Sequence, residues 1–387
     1  MRISIVSAMT AITVTLAIAL AIGAIALWPG KLRELDSQGI LNRGAIYPAT
    51  AVSVEYGPCS NVDPASGAEC RTTGLELRGG PDEGSIVPIE VPDVGTSLEV
   101  ADGDRVLLAY QPDAPSGLQY SLVDRDRRPT LLLLAGLFAL VVILLGRLRG
   151  VAALVGLVGT VVILLTFVLP SILDGGSPVW VAVVGAGIVA YLVLYLAHGL
   201  SVRTTVALLG TLSGLALTAV LAEVFVGLAH LSGLGSEEAG IVTALGIDLD
   251  LSGLVLAGMI IGAMGAIDDV AVTQASAVWE LSSTDPTMRR RDLARAGMRV
   301  GRDHVGSIVN TLVLAYAGAS LPLLIVFTLS EQSLGIAANG EVLATEIIRT
   351  LVGSMGLVAA VPITTWLAAR VVDTVSYSAV AAPPARD

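Results

Sequence analysis

Charge is scarce in this chain. Asp, Glu, Lys and Arg make up 14% of its 387 residues, where a soluble domain carries about 25%. Lysine is almost missing, with Lys31 the one lysine among 22 basic residues. Aromatic residues stand at 4%, and there are three histidines and two cysteines. No Gly-rich loop ends in Lys and Ser or Thr, and neither H-E-x-x-H nor C-x-x-C occurs. Nothing therefore marks an ATP-driven pump or a zinc hydrolase. His198, His230 and His304 fall in separate loops or helix ends. No cofactor, no catalytic residue and no nucleic-acid partner is expected.

What is abundant is apolar: 54% of the residues, with several uncharged runs longer than 18 residues. Such runs mark bilayer-spanning helices. The reading is an α-helical polytopic membrane protein of about eight transmembrane helices, carrying a small extracytoplasmic all-β domain. The segments fall at about 4–27, 130–146, 151–171, 179–198, 204–228, 252–281, 305–328 and 350–372. The first reads as an uncleaved signal anchor, or else as a signal peptide cleaved near Ala24-Ile25-Ala26. The organisation predicted is an anchor over 1–28, a β-rich domain over 29–128, a seven-helix core over 129–372 and a tail over 373–387.

Arginine sets the orientation. Arg147, Arg149 and Arg203 follow the second and fourth segments, and Arg289, Arg290, Arg291, Arg295, Arg299 and Arg302 follow the sixth. Arg370 and Arg386 follow the eighth, while loops 172–178, 229–251 and 329–342 hold no Lys or Arg. The excess of positive charge inside puts both termini in the cytoplasm and residues 29–128 outside. That outer stretch holds nine basic and sixteen acidic residues, a net of 9 − 16 = −7. The arginine bias, with abundant Ala, Val, Leu and Gly, points to a GC-rich bacterial genome and a bacterial plasma membrane.

Within the outer stretch, short runs at Ala51–Tyr56, Leu75–Arg78, Ile86–Val91, Ser97–Val100 and Arg105–Gln111 alternate with Gly, Pro, Asp and Ser clusters. This predicts a small β-barrel or sandwich. Cys59 and Cys70 both lie here, on the oxidising side, as a candidate disulfide; two free thiols are the alternative.

The sixth segment carries the chemistry. It reads LVLAGMIIGAMGAIDDVAVTQASAVWEL over 254–281. Gly258, Gly262, Gly265, Asp269, Thr273, Ser276 and Glu280 recur at steps of three and four, so they share one stripe of a helix. The glycines admit a close neighbouring backbone. An ionisable side chain within a span suggests a site facing the bundle interior, which singles out Asp269. Asp268 points about 100° away and is a weaker candidate, as are Gln274 and Ser307. In the seventh segment Asp303, Ser307 and Asn310 share a face. A pocket of Asp269, Thr273, Asn310 and Asp303 between the sixth and seventh segments, with Gly262 and Gly265 as further candidate residues, would suit a cation or small solute. Between these segments, Asp285-Pro286 opens and Gly297 closes a predicted short basic helix. Pro322 and Pro362 predict kinks.

The block GMIIGAMGAIDDVAVTQASAVWEL, followed by AGMRVGRDHVGSIVNTLVLAYAGASLPLLIVF, resembles the YibE/F-like family of bacterial multi-pass membrane proteins. GRLRGVAALVGLVGTVVILLTFVLPSILDGGSP is similar to the family's second and third spans, and the outer β domain fits a YibE-like layout. The resemblance covers most of 128–372. It implies that the family's single aspartate falls on Asp269, with Asp268 a departure. It also implies that Gly301, Arg302 and Asp303, then Asn310, Thr311, Leu312, Leu314, Ala315 and Tyr316, are family positions. It supplies an architecture and no activity. Two functions follow as expectations: a permease for a cation or small solute, or a structural or signalling component whose outer domain meets an envelope partner. Membrane-embedded hydrolysis would need Asp303 to reach Asp268 or Asp269.

Overall fold

The computed structural model describes residues 5–30, 44–59, 69–92, 98–115, 117–235, 237–244, 246–329 and 333–380. It divides into two compact units, Glu34–Val141 and Met1–Arg33 with Val142–Asp387.

The smaller unit contains one five-stranded antiparallel sheet, built from β1 (Ala45–Pro58), β2 (Glu69–Leu77), β3 (Ile86–Pro92), β4 (Arg105–Tyr110) and β5 (Tyr120–Arg125) in the order β3-β2-β1-β4-β5. The long β1 makes this possible: its first half pairs with β4 (Ala45↔Tyr110) and its second with β2 (Pro58↔Glu69). A register shift between Ala51 and Ser53 bends it, as bulges do. The sheet curls until the edge strands β3 and β5 approach one another. Ala49, Ala51, Leu75, Leu77, Val106, Leu108 and Tyr120 fill its concave face. Among the described residues this is a single curled sheet and not a two-sheet sandwich. Leu98–Val100 is not a strand, and the Tyr120–Arg125 strand was not anticipated, because its charged sequence hides the alternation. Cys59 and Cys70 are bonded, with Cα atoms 4.8 Å apart.

The larger unit is helical, and the helix that starts at Arg128 belongs to the smaller unit as far as Val141. Among the described residues, six helical runs are long and apolar enough to cross a membrane. They are α1 (Ile5–Ala26), the run Arg128–Leu173, α4 (Pro178–His198), α5 (Val202–Leu228), α7 (Leu251–Thr284) and Glu341–Val372 of α11 (Glu341–Val380). The pair α8 (Arg290–Ala319) and α9 (Leu321–Leu329), bent by 63°, makes a seventh if counted as one span. The run Arg128–Leu173 comprises α2 (Arg128–Ile163), a π-helical turn Leu164–Val168 and α3 (Leu169–Leu173). Both the second and third predicted segments fall in it. Arg147 interrupts α2 with φ 52° and ψ −131°. A Cβ on Gly150 would overlap the Val142 carbonyl, so the chain doubles back there into two arms. Short helices α6 (Glu237–Ala244) and α10 (Leu334–Asn339) lie in the connections.

The core lies among α4, α5, α7 and α11. Glycine sets the spacing where α5 meets α11. Gly210 faces Thr364, and Gly356 faces Thr218 and the Gly214 carbonyl. On α4, Gly187 seats Leu20 of α1, while the Tyr191 hydroxyl donates to the Thr13 carbonyl at 2.7 Å.

Three local expectations change. Gly297 does not end a short helix: α8 runs unbroken from Arg290, and Gly297 and Gly301 are buried against Val278, Thr365, Gln274 and Val361. These glycines serve close packing rather than termination. The Asp285-Pro286 pair forms the preceding turn, where the Thr287 amide donates to Asp285 at 3.0 Å. The α8–α9 bend comes just before Pro322, whereas α11 continues through Pro362 as one helix. It also continues to Val380, where a tail was expected; Arg386 lies outside the described residues.

Candidate functional site

The geometry of α7 decides which aspartate can do what. Its start is fixed by Asp250, whose carboxylate accepts from the Gly253 amide at 2.8 Å, a standard N-cap. The face that packs on α5 and α11 carries Leu256, Ile260, Ala263, Ile267, Ala271 and Val278, all buried. The stripe of small and polar residues lies on the other side. Gly258, Gly262, Gly265, Asp269, Thr273 and Glu280 are exposed, and Ser276 is half-buried. The stripe was expected to face inward. It faces outward because bulky apolar side chains compete for the core and win it.

Asp268, about 100° round the helix, is half-buried and accepts a long hydrogen bond of 3.4 Å from Thr211 of α5, itself fully buried. It also lines a cavity of about 370 Å³ between the second arm of α2, α4 and α7. The α2 wall brings Leu157 and Thr160, the α4 wall Gly185 and Val189, and the α7 wall Gly262 and Gly265. Thr160 donates its hydroxyl to the Gly156 carbonyl at 3.0 Å. No basic side chain among the described residues pairs with Asp268.

Two further cavities differ in this respect. One of about 370 Å³ between α1, α4 and α5 has hydroxyls, including Thr13, Tyr195 and Ser201, and no carboxylate. Another of about 380 Å³ beside α8, α9 and α11 includes Glu346, already paired with Arg349 at 2.6 Å. The Arg349 guanidinium rests beside Gly258, and the Tyr316 hydroxyl beside Gly262.

The remaining predicted residues are not brought together. Asp303, Ser307 and Asn310 are exposed on α8, on the side away from Leu293, Gly297 and Gly301, which pack inward. Among the described residues, the side chains of Asp269, Thr273, Asp303, Ser307 and Asn310 make no hydrogen bond or ion pair. The anticipated pocket between the sixth and seventh segments is therefore not assembled. Gln274 is buried, and its amide is spent: it donates to the Gly297 carbonyl and to Thr365 Oγ1, both at 2.7 Å. Gln274 clamps α7 to α8 and α11. Thr211 and Thr160 were not anticipated, because a threonine in an apolar run usually bonds its own helix, as Thr160 does.

A family model described as YibE/F-like protein matches residues 134–374, more than half the chain, and the chain belongs to that family. No curated protein and no solved structure matches it. The matched region contains every residue of the Asp268 cavity, while the β sheet lies before it.

Proposed function

We propose that this YibE/F-like protein is a permease for a positively charged solute, with Asp268 as the residue that meets the charge. The observation that carries this reading is an unpaired carboxylate lining a cavity among apolar helices. An ionisable group in such a place is costly and is retained for function by default. A carboxylate there is balanced either by a bound cation or by a proton, and exchange between the two gives coupled transport. Arginine placement supports eight crossings of a bacterial plasma membrane, with the two arms of α2 as separate spans, both termini in the cytoplasm and the β domain outside. The intramembrane carboxylates do not support hydrolysis, since Asp268 and Asp269 diverge on one helix and Asp303 lies on the outward face of α8.

The test uses protein reconstituted in liposomes that enclose a pH-sensitive dye. Adding a permeant cation outside should move internal pH with wild type. Asp268→Asn should remove that flux, and Asp269→Asn should leave it within about twofold. Full flux in Asp268→Asn would sink the proposal.

One observation favours a second reading. Asp269, Thr273, Asp303, Ser307 and Asn310 sit on outward faces of α7 and α8. Polar groups on such faces suit helix association within the bilayer. A non-transporting component held to an envelope protein by these stripes would lose its partner, and no flux, on Asp269→Asn with Asn310→Leu.

A further inference from the structure

We infer that the solute of the Asp268 cavity is an amphipathic organic cation, an ammonium head on a hydrocarbon body, and not a bare inorganic ion. The inference rests on the reading of the cavity as a solute site and adds the chemical class that the lining selects.

The donor count comes first. Of thirteen lining residues, two carry polar side chains, Thr160 and Asp268. One Asp268 oxygen already accepts from Thr211, and the Thr160 proton is committed to Gly156. A Ca²⁺ ion takes six to eight oxygen ligands, and Mg²⁺ demands octahedral oxygen geometry. The wall offers two carboxylate oxygens and one hydroxyl oxygen. An inorganic ion would surrender most of its hydration without replacement, and unpaired buried charge is heavily penalised. An ammonium carried on carbon differs, because much of its surface is apolar and its single charge is met by one carboxylate.

Size points the same way. About 370 Å³ lies inside the usual range of small-molecule pockets, roughly 300–1,000 Å³. The apolar walls come from Leu157, Val189, Val193 and Ile261. None of the lining residues is aromatic, so recognition does not use a cation–π cage. It uses one charge and the fit of a hydrocarbon body, which predicts a broad preference within the class.

The route of entry is consistent with that class. Gly262 and Gly265 line the cavity and are exposed on the outward stripe of α7. A Cβ placed on Gly265 would meet nothing within 4 Å. The cavity therefore opens sideways at Gly265, next to Gly262 over which the Tyr316 hydroxyl stands, and a solute that partitions into lipid would arrive there.

The experiment uses the full chain in lipid nanodiscs. Equilibrium binding is measured for alkyltrimethylammonium ions of four to ten chain carbons, the primary alcohols of equal length, and K⁺, Na⁺, Mg²⁺ and Ca²⁺. Because the native cysteines are bonded to each other, a Gly265→Cys variant adds one thiol whose alkylation rate reports occupancy. Affinity for the ammonium series should rise about threefold to fourfold per methylene until the cavity is full. It should fall at least tenfold in Asp268→Asn, and the alcohols should bind at least tenfold more weakly. Gly265→Leu, which leaves Asp268 untouched, should abolish binding while the protein stays monodisperse. Inorganic ions that bind and protect the thiol in an Asp268-dependent way, where ammonium ions do not, would overturn the solute class and leave the site standing. Equal ammonium binding in wild type and Asp268→Asn would show lipid partition only and overturn the class. No Asp268-dependent protection by any probe would overturn the site as well.

Discussion

Two identical substitutions, Gly265→Ala and Gly356→Ala, should move stability in opposite directions. In α7 an added methyl at Gly265 meets no atom within 4 Å. The main change is then the helix preference of alanine over glycine, a stabilisation of about 0.5–1 kcal/mol. In α11 the same methyl at Gly356 overlaps Thr218 Oγ1 and stands 3.1 Å from the Gly214 carbonyl oxygen. Thr218 cannot swing away cheaply, because it is fully buried and its hydroxyl donates to Gly214 at 2.9 Å. Overpacking of this kind costs about 1–3 kcal/mol. Both glycines lie inside helices, so the alanine preference is common to the two variants, and they should differ by the overpacking cost, about 1–3 kcal/mol. Thr218→Ala in the Gly356→Ala background should recover part of the loss, since it removes the blocking oxygen. Unfolding in mixed micelles, followed by tryptophan fluorescence, reads all four proteins. If Gly265→Ala is destabilising by 1 kcal/mol or more, the outward stripe of α7 is the seat of another helix. The cavity would then not open there, and the reasoning for lateral entry falls.

Other consequences are simpler. Gln274→Leu and Gln274→Ala should both lower stability, by about 1–3 kcal/mol, because each removes the two hydrogen bonds that tie α7 to Gly297 of α8 and Thr365 of α11; a leucine variant as stable as wild type would mean that the site wants volume and not an amide. Reduction of Cys59–Cys70, with a sequence separation of 11, should cost the β domain about 3 kcal/mol by loop-closure entropy, read as faster proteolysis within the β sheet of the full chain on adding reductant; unchanged cleavage refutes it. Burial, and then the hydrogen bond to Asp82 at 2.8 Å, pushes the Tyr120 phenol above its ordinary value. A raised folded-state value stabilises fully below the unfolded value of about 10, and the stabilisation fades as pH climbs past it. Proteolytic resistance of the sheet should accordingly fall above about pH 10. Tyr120→Phe should show a shallower fall, and equal slopes would count against the burial argument.

How much could be foreseen depended on the kind of signal. Apolar runs announce themselves, and most predicted segments have a helix beneath them, as with 179–198 and α4. The fold-back at Arg147 was foreseen only as a boundary between two segments. A positive φ at an arginine leaves no mark in composition, while Gly150, three residues on, is needed for the close return. Gly297 was misjudged because a glycine that ends a helix and one that lets another helix approach look alike in one dimension. The sheet's strand at Tyr120–Arg125 was hidden by its two charges, which an exposed edge tolerates.

The adjacent aspartates show most plainly where sequence reasoning stops. Helical spacing groups Asp269 with Gly258, Gly262 and Gly265, and that grouping is right: the structure keeps them on one face. Spacing cannot say which face is turned to the core. Size can: Ile260, Ile267 and Val278 need burial more than glycine does, and their common direction marks the packed side of α7. Asp268 lies at the margin between that side and the glycine stripe, so it alone of the pair reaches both Thr211 and the cavity. Asp269, one residue on, is turned outward. The two should therefore separate cleanly by chemistry. Treatment of nanodisc protein with a hydrophobic carbodiimide should modify Asp269 first, since it is exposed. Modification of Asp268 should be slower, and an alkyltrimethylammonium ion should slow it further without changing the rate at Asp269. Peptide mapping of the labelled protein distinguishes the adjacent sites. Protection at Asp269 in place of Asp268 would move the solute to the outward stripe and return the site to the stripe that spacing alone selected.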